Sequence, residues 1–132
     1  MSFQSLGLDP RLLQNVAKQG YVVTTPIQKK AIPAILEGRD VVGLAQTGTG
    51  KTAAFVLPLL HRLMSGPRHQ LRALIVGPTR ELAEQTKDVV AKLGEHTSLR
   101  SVTIYGGVGQ QPQIAGVRQG AEIAIACPGR LL

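Results

Sequence analysis

An α/β fold with a parallel sheet is what the sequence predicts, on three observations. Four short apolar runs, at residues 41–45, 72–76, 102–105 and 123–126, alternate with segments of helical periodicity. Strands apolar on both faces belong to sheets that helices cover on both sides, which is the parallel arrangement. Glycine or proline punctuates nearly every junction, and no repeat, low-complexity tract or linker interrupts the alternation.

The elements follow in order. Asp9 and Pro10 supply an N-cap and a first helical residue; Leu12, Leu13 and Val16 fall on one face, and Gly20 closes the helix. Thr25 and Pro26 repeat that start for a second helix through Ile27, Ala31 and Ile35. Gly38 stops it, and Pro33 is expected to kink or shorten it. The first strand, 41–45, runs into a Gly/Thr loop and then a helix over 50–64. A second strand, 72–76, ends at Gly77 and Pro78. The third helix, 80–93, carries Leu82, Val89, Val90 and Leu93 at helical spacing, and Gly94 terminates it. The third strand, 102–105, meets Gly106 and Gly107; a short helix covers 112–119; the fourth strand, 123–126, leads to Pro128 and Gly129. Another helix starts as the sequence reaches Leu131 and Leu132, so the domain is expected to be incomplete at its C-terminal end.

Composition narrows the function. The 132 residues, 43% of them hydrophobic, suffice for one domain with its own core. No apolar run approaches the roughly 18 to 20 residues that a membrane helix needs. The first residues form neither a basic segment nor a continuous apolar one, unlike a secretory signal. A single cysteine, Cys127, makes no internal disulfide and no cysteine-only zinc site, so a reducing, cytoplasmic setting is expected. Fifteen Lys and Arg against eight Asp and Glu give a net charge of +7. Such an excess favours polyanions through counterion release, although a merely solvated basic surface has the same count. Aromatics are 3% of the chain and Trp is absent. Base stacking on an aromatic platform is therefore not expected, and phosphates would supply most nucleic-acid contacts.

One motif carries specific chemistry. Ala45, Gln46, Thr47, Gly48, Thr49, Gly50, Lys51 and Thr52 lie between a predicted strand and a predicted helix. They match the phosphate-binding P-loop, G-x-x-x-x-G-K-[ST], with Ala45 at the first glycine position. Gly48 and Gly50 let the backbone curl so that N–H groups face phosphate oxygens, and the next helix adds its N-terminal dipole. Lys51 suits the terminal phosphates, and the Thr52 hydroxyl suits Mg²⁺. The fold expected is therefore that of a P-loop NTPase.

Four further segments resemble the DEAD-box RNA helicases, and the resemblance extends over essentially the whole chain. Gly20, Tyr21, Val22, Val23, Thr24, Thr25, Pro26, Ile27 and Gln28 resemble that family's Q motif, with Phe3 as its upstream aromatic and Thr24 where the family usually has proline. Pro78, Thr79, Arg80, Glu81, Leu82 and Ala83 match motif Ia; Gly106 and Gly107 match the GG doublet. Cys127, Pro128, Gly129 and Arg130 resemble motif Ib, with cysteine replacing the usual threonine and its hydroxyl. The resemblance implies a RecA-like domain that binds ATP and Mg²⁺, with Gln28 on the adenine edge and Tyr21 packed beside the base. A carboxamide fits adenine because it donates to N7 and accepts from the N6 amino group. The resemblance also implies largely sequence-independent RNA backbone contacts from Pro78, Thr79, Arg80, Gly106, Gly107, Pro128, Gly129 and Arg130. Arg80 and Arg130 suit phosphate, and Thr79 sits where helix N–H groups are free.

The implied enzyme is an RNA-stimulated ATPase that unwinds RNA duplexes locally. The sequence contains no Asp-Glu-Ala-Asp or Ser-Ala-Thr segment and no second RecA-like domain. This chain alone is therefore expected to hydrolyse ATP negligibly, since phosphoryl transfer depends on the positioning and charge stabilisation such groups provide. In the family, later strands separate the P-loop strand from the others, so strand 41–45 is expected to lack its normal neighbours and to leave open edges. The alternatives are a non-catalytic truncated ATP- or RNA-binding module, another P-loop helicase or translocase acting on DNA, and, more distantly, a small-molecule kinase.

Overall fold

A computed structural model describes residues 2–46, 48–106 and 109–131. After a 3-10 turn at Phe3–Leu6 come helices α1 (Pro10–Lys18), α2 (Pro26–Leu36) and α3 (Lys51–Leu63). Strand β1 (Ala73–Val76), helix α4 (Arg80–Leu93), strand β2 (Ser101–Ile104), helix α5 (Gln111–Arg118), strand β3 (Ile123–Ala126) and helix α6 (Pro128–Leu131) follow.

Local chemistry accounts for the helix starts. The Asp9 carboxylate accepts from the Arg11 N–H ahead of Pro10, and Thr79 accepts from the Leu82 N–H at α4. Thr25 and Gln28 form a reciprocal capping box at α2. That helix continues through Pro33 to Leu36, so the expected shortening does not occur. Its buried side chains are Gln28, Ala31 and Ile32, one step round from the predicted Ile27–Ala31–Ile35 stripe. In α4, Ala83, Val90 and Leu93 face the core, whereas Leu82 is exposed.

The sheet is parallel throughout, with β3 between β1 and β2. Val76 and Ile104 both lie opposite Ala126, so all three strands end at one level. Every residue of β3 is buried, as expected for a central strand covered on both faces. Around Ile123 and Ile125, one core gathers Leu12 and Val16 of α1, Ile32 of α2, Val56, Leu57 and Leu60 of α3, and Ala83, Val90 and Leu93 of α4. Each of the Val, Leu and Ile side chains contributes about 1.5–3 kcal/mol by leaving water.

The predicted first strand is overturned. Residues 41–45 adopt no strand, and Val42 and Leu44 are each 91% exposed. A short apolar run alone cannot hold an extended segment; it needs a hydrogen-bonded neighbour, and none pairs with it among the described residues. The outer edge of β1 is likewise unpaired among the described residues, with Leu74 and Val76 half-exposed. Small boundary shifts also occur: β1 starts at Ala73, and β2 runs one residue earlier than expected.

Two buried polar side chains position the ends of these elements. Asn15 Nδ2 donates to the carbonyls of Leu93 and Glu95 at 2.9 and 2.7 Å, satisfying the C-terminal end of α4 from α1. Glu122, fully buried at the start of β3, accepts from the N–H groups of His69 and Arg100, each at 2.9 Å. Its own carbonyl accepts from Arg72 and Ala73. One residue thus ties the approaches to β1 and β2 onto β3. Burial raises the Glu122 pKa, but the backbone N–H groups of His69, Arg100 and Glu122 itself outweigh it, and the carboxyl lies below its ordinary value.

A carboxylate depressed on folding contributes stability above its unfolded pKa and loses it as pH falls through the folded value. We predict that Glu122→Ala destabilises the chain by about 2–4 kcal/mol at neutral pH, because two buried N–H groups lose their acceptor. Glu122→Gln should flatten the acid side of the stability curve; urea unfolding against pH checks both. Amide exchange should find residues 41–45 unprotected and 123–126 the most protected. Full protection of 41–45 in the monomer would contradict the fold described here.

Candidate nucleotide and nucleic-acid site

The P-loop segment reaches α3 through two left-handed glycines, Gly48 at φ 85° and Gly50 at φ 80°. Thr49 Oγ1 donates to the Gln46 carbonyl at 2.6 Å, closing the turn. At α3, whose N-cap is Gly50, no side chain caps the first turn among the described residues, in contrast to α1, α2 and α4. The N–H groups there remain open to an external anion. Lys51 is exposed at the first helical position, and Thr52 follows, half-buried. Thr47 lies outside the described residues.

Gln28 is the side chain that ties α2 to this loop. It is 4% exposed; Oε1 accepts from the Thr25 N–H at 3.0 Å, and Nε2 donates to the Gly50 carbonyl at 3.2 Å. The sequence offered no sign that this polar residue would be buried; the T-x-x-Q spacing of a capping box was the available signal. A Cβ on Gly50 would run into the end of that carboxamide, which would have to shift, and the positive φ strains any side chain here. Tyr21 stacks on Phe3 with ring centroids 6.2 Å apart, and Ser2 bridges Val23, fastening the N-terminal turn to the loop ahead of α2. Beside the loop, an open cleft of about 420 Å³ runs between α2 and α3, its lining including Ile27, Ile35, Val41, Phe55, Lys51 and Thr52.

A second group of predicted residues meets at the carboxyl ends of the strands. Because β1, β2 and β3 are parallel and in register, the segments after Val76, Ile104 and Ala126 emerge side by side. Gly77 N–H donates to the Ala126 carbonyl and Cys127 N–H to the Ile104 carbonyl, each at 2.9 Å. Pro78, Thr79, Arg80, Gly106, Pro128 and Gly129 are all exposed on this edge. Gly107 and the Arg130 side chain lie outside the described residues. The Arg80 guanidinium carbon is 5.9 Å from the centroid of the Tyr105 ring, and the Tyr105 hydroxyl donates to Glu84 Oε1 at 2.7 Å. Tyr105 and Glu84 were not among the residues singled out from the sequence, and their pairing across β2 and α4 left no local signal there. No group of three or more His, Cys, Asp or Glu is arranged to hold a metal among the described residues.

The sequence profile of the DEAD/DEAH box helicases matches residues 25–132. The chain belongs to that family. It is 48% identical over 131 residues to the DEAD-box ATP-dependent RNA helicase RhpA of Helicobacter pylori, covering 99% of this chain and 26% of that protein. With the ATP-dependent RNA helicase dbp10 of Schizosaccharomyces pombe it shares 50% identity over 132 residues, covering 99% and 16%. A crystal structure of a DEAD box protein from Methanococcus jannaschii superposes with a TM-score of 0.91 at 36% identity, over all of this chain and 36% of that one. The chain thus spans about a quarter or less of the curated DEAD-box relatives described. Its α/β architecture is that of their RecA-like domains. No helix among the described residues is long and apolar enough to cross a membrane.

The two P-loop glycines separate in a testable way. Gly50→Ala should cost more stability than Gly48→Ala, by about 1 kcal/mol, because only the first adds a clash with Gln28 to the strain of a positive φ. Paired urea unfolding curves measure the difference.

Proposed function

We propose that this chain is the ATP-binding and RNA-backbone-contacting part of an ATP-dependent RNA helicase. In this reading residues 1–132 are the first part of its N-terminal RecA-like domain. The observation that carries it is the start of α3, where two left-handed glycines and a helix N-terminus that no described side chain caps adjoin Lys51 and Thr52.

Ala45, Gln46, Thr47, Gly48, Thr49 and Gly50 then wrap the phosphates with backbone N–H groups, and Lys51 neutralises the terminal ones. The Thr52 hydroxyl is a hard oxygen donor of the kind Mg²⁺ accepts alongside its waters. The ion, when bound, would add positive charge against the phosphates. Gln28 retains one N–H and one lone pair after its bonds to Gly50 and Thr25, the pair of functions that an adenine edge requires. Guanine presents an acceptor where adenine presents a donor, so this carboxamide favours ATP. Tyr21, half-exposed on Phe3, has a ring edge available to the base.

The RNA half is supported by the common strand-end edge and by the net charge of +7. Arg80 and Arg130 bind phosphate; Pro78, Thr79, Gly106, Gly107, Pro128 and Gly129 let the strand approach backbone closely. The acids that would complete the magnesium site and the second domain that would close over RNA belong to sequence not present in these residues. Hydrolysis and local unwinding are accordingly assigned to the longer assembly, in a reducing, cytoplasmic setting.

A fluorescent adenine nucleotide should bind this chain, be displaced by ATP but not GTP, and fail to bind Lys51→Ala. RNA-stimulated turnover by the chain should be negligible; turnover that Lys51→Ala abolishes would refute the assignment of hydrolysis elsewhere. Absent or nonselective binding would mean that these residues do not form a working nucleotide site by themselves.

A further inference from the structure

Arg80 and Glu84 stand one turn apart on α4, a spacing at which opposite charges ordinarily pair. Among the described residues no ion pair engages Arg80. The Glu84 carboxylate is instead taken by the Tyr105 hydroxyl, at 2.7 Å, reaching from the end of β2. The same phenol ring lies under the Arg80 guanidinium. The placement of Tyr105 is constrained from behind, since its backbone carbonyl accepts from Gln113 Nε2 of α5 at 2.9 Å. One side chain therefore occupies the acid that would neutralise Arg80 and supports the cation by its ring.

We propose that Tyr105 and Glu84 are positioning residues for Arg80, the Tyr105 hydroxyl holding Glu84 away from the guanidinium so that its N–H donors stay available to an RNA phosphate. The inference rests on the RNA-contact reading of Arg80. A guanidinium held by an aromatic face keeps its planar fork of donors for bidentate binding, whereas one held by a carboxylate does not. The hydrogen bond to Glu84 raises the phenol pKa above its ordinary value, so the hydroxyl is a donor throughout the neutral range.

Loss of the hydroxyl alone should release Glu84 onto Arg80. Tyr105→Phe is expected to weaken binding of a labelled oligouridylate roughly two- to fivefold, the worth of one exposed ion pair. In a Glu84→Gln background the same substitution should have no effect, because the competing charge is gone. Arg80→Ala should reduce the slope of log affinity against log salt by about one. Equal losses from Tyr105→Phe in both backgrounds, or no loss in either, would overturn the inference while leaving Arg80 as an RNA contact. An unchanged salt slope in Arg80→Ala would remove the contact reading, and this inference with it. Independently of RNA, ultraviolet titration in a Tyr21→Phe background isolates the other of the two tyrosines. Glu84→Gln should lower its ionisation midpoint, and an unmoved midpoint would show that the Tyr105–Glu84 bond does not form in solution.

Discussion

The hydrogen-bonded ladder of β3 is the constraint on which the rest of the molecule depends. Four consecutive residues, Ile123, Ala124, Ile125 and Ala126, are buried and paired on both sides in one parallel register. Such a strand constrains its neighbours: a slip of one residue would exchange the Ile and Ala side chains between the two faces and upset their packing against the helices. The ladder also sets where β1 and β2 stop, and so brings three loops that are distant in sequence to one edge. Glu122 secures the opposite end, where a buried carboxylate answers N–H groups from the approaches to both outer strands.

A different kind of coupling governs the phosphate loop. Gln28 closes the cap of α2 and grips the carbonyl of Gly50, the residue from which α3 departs. The angle between the two helices and the path of the loop are thereby linked through one carboxamide. The start of α3 has the opposite character: with glycine at the N-cap, no side chain among the described residues satisfies its first N–H groups. Where α1, α2 and α4 spend a side chain on self-capping, α3 remains receptive to an anion.

The unpaired segment 41–45 marks the boundary of what local pattern can do. Val42 and Leu44 belong to an apolar run of strand length, yet both are almost wholly exposed. Strand propensity expresses a fit to a pleated, half-buried surface, and that surface exists only when neighbouring strands supply it. Among the described residues neither 41–45 nor the outer edge of β1 has a hydrogen-bonded strand beside it. Gly48 and Gly50 nevertheless adopt left-handed conformations, and the Gly50 carbonyl is held by Gln28 rather than by the sheet.

By itself the sequence determined the helix starts at Pro10, Pro26 and Arg80, the three strands that pair, and the P-loop with its two glycines. These are encoded by caps, chain-breaking residues and short-range periodicity, all of which act within a few residues. Residues 78–80, 106 and 128–129 were legible as contact candidates from the resemblance, and as followers of strands at the carboxyl edge of a parallel sheet; the register adds that the three strands end at one level. The tertiary structure alone decided that Gln28 is buried, that Glu122 is a charged anchor, that Tyr105 comes between Glu84 and Arg80, and that 41–45 is no strand. Each of these depends on partners far along the chain, and a hydrogen bond or a dry contact has no signature in sequence until both of its sides have been brought together.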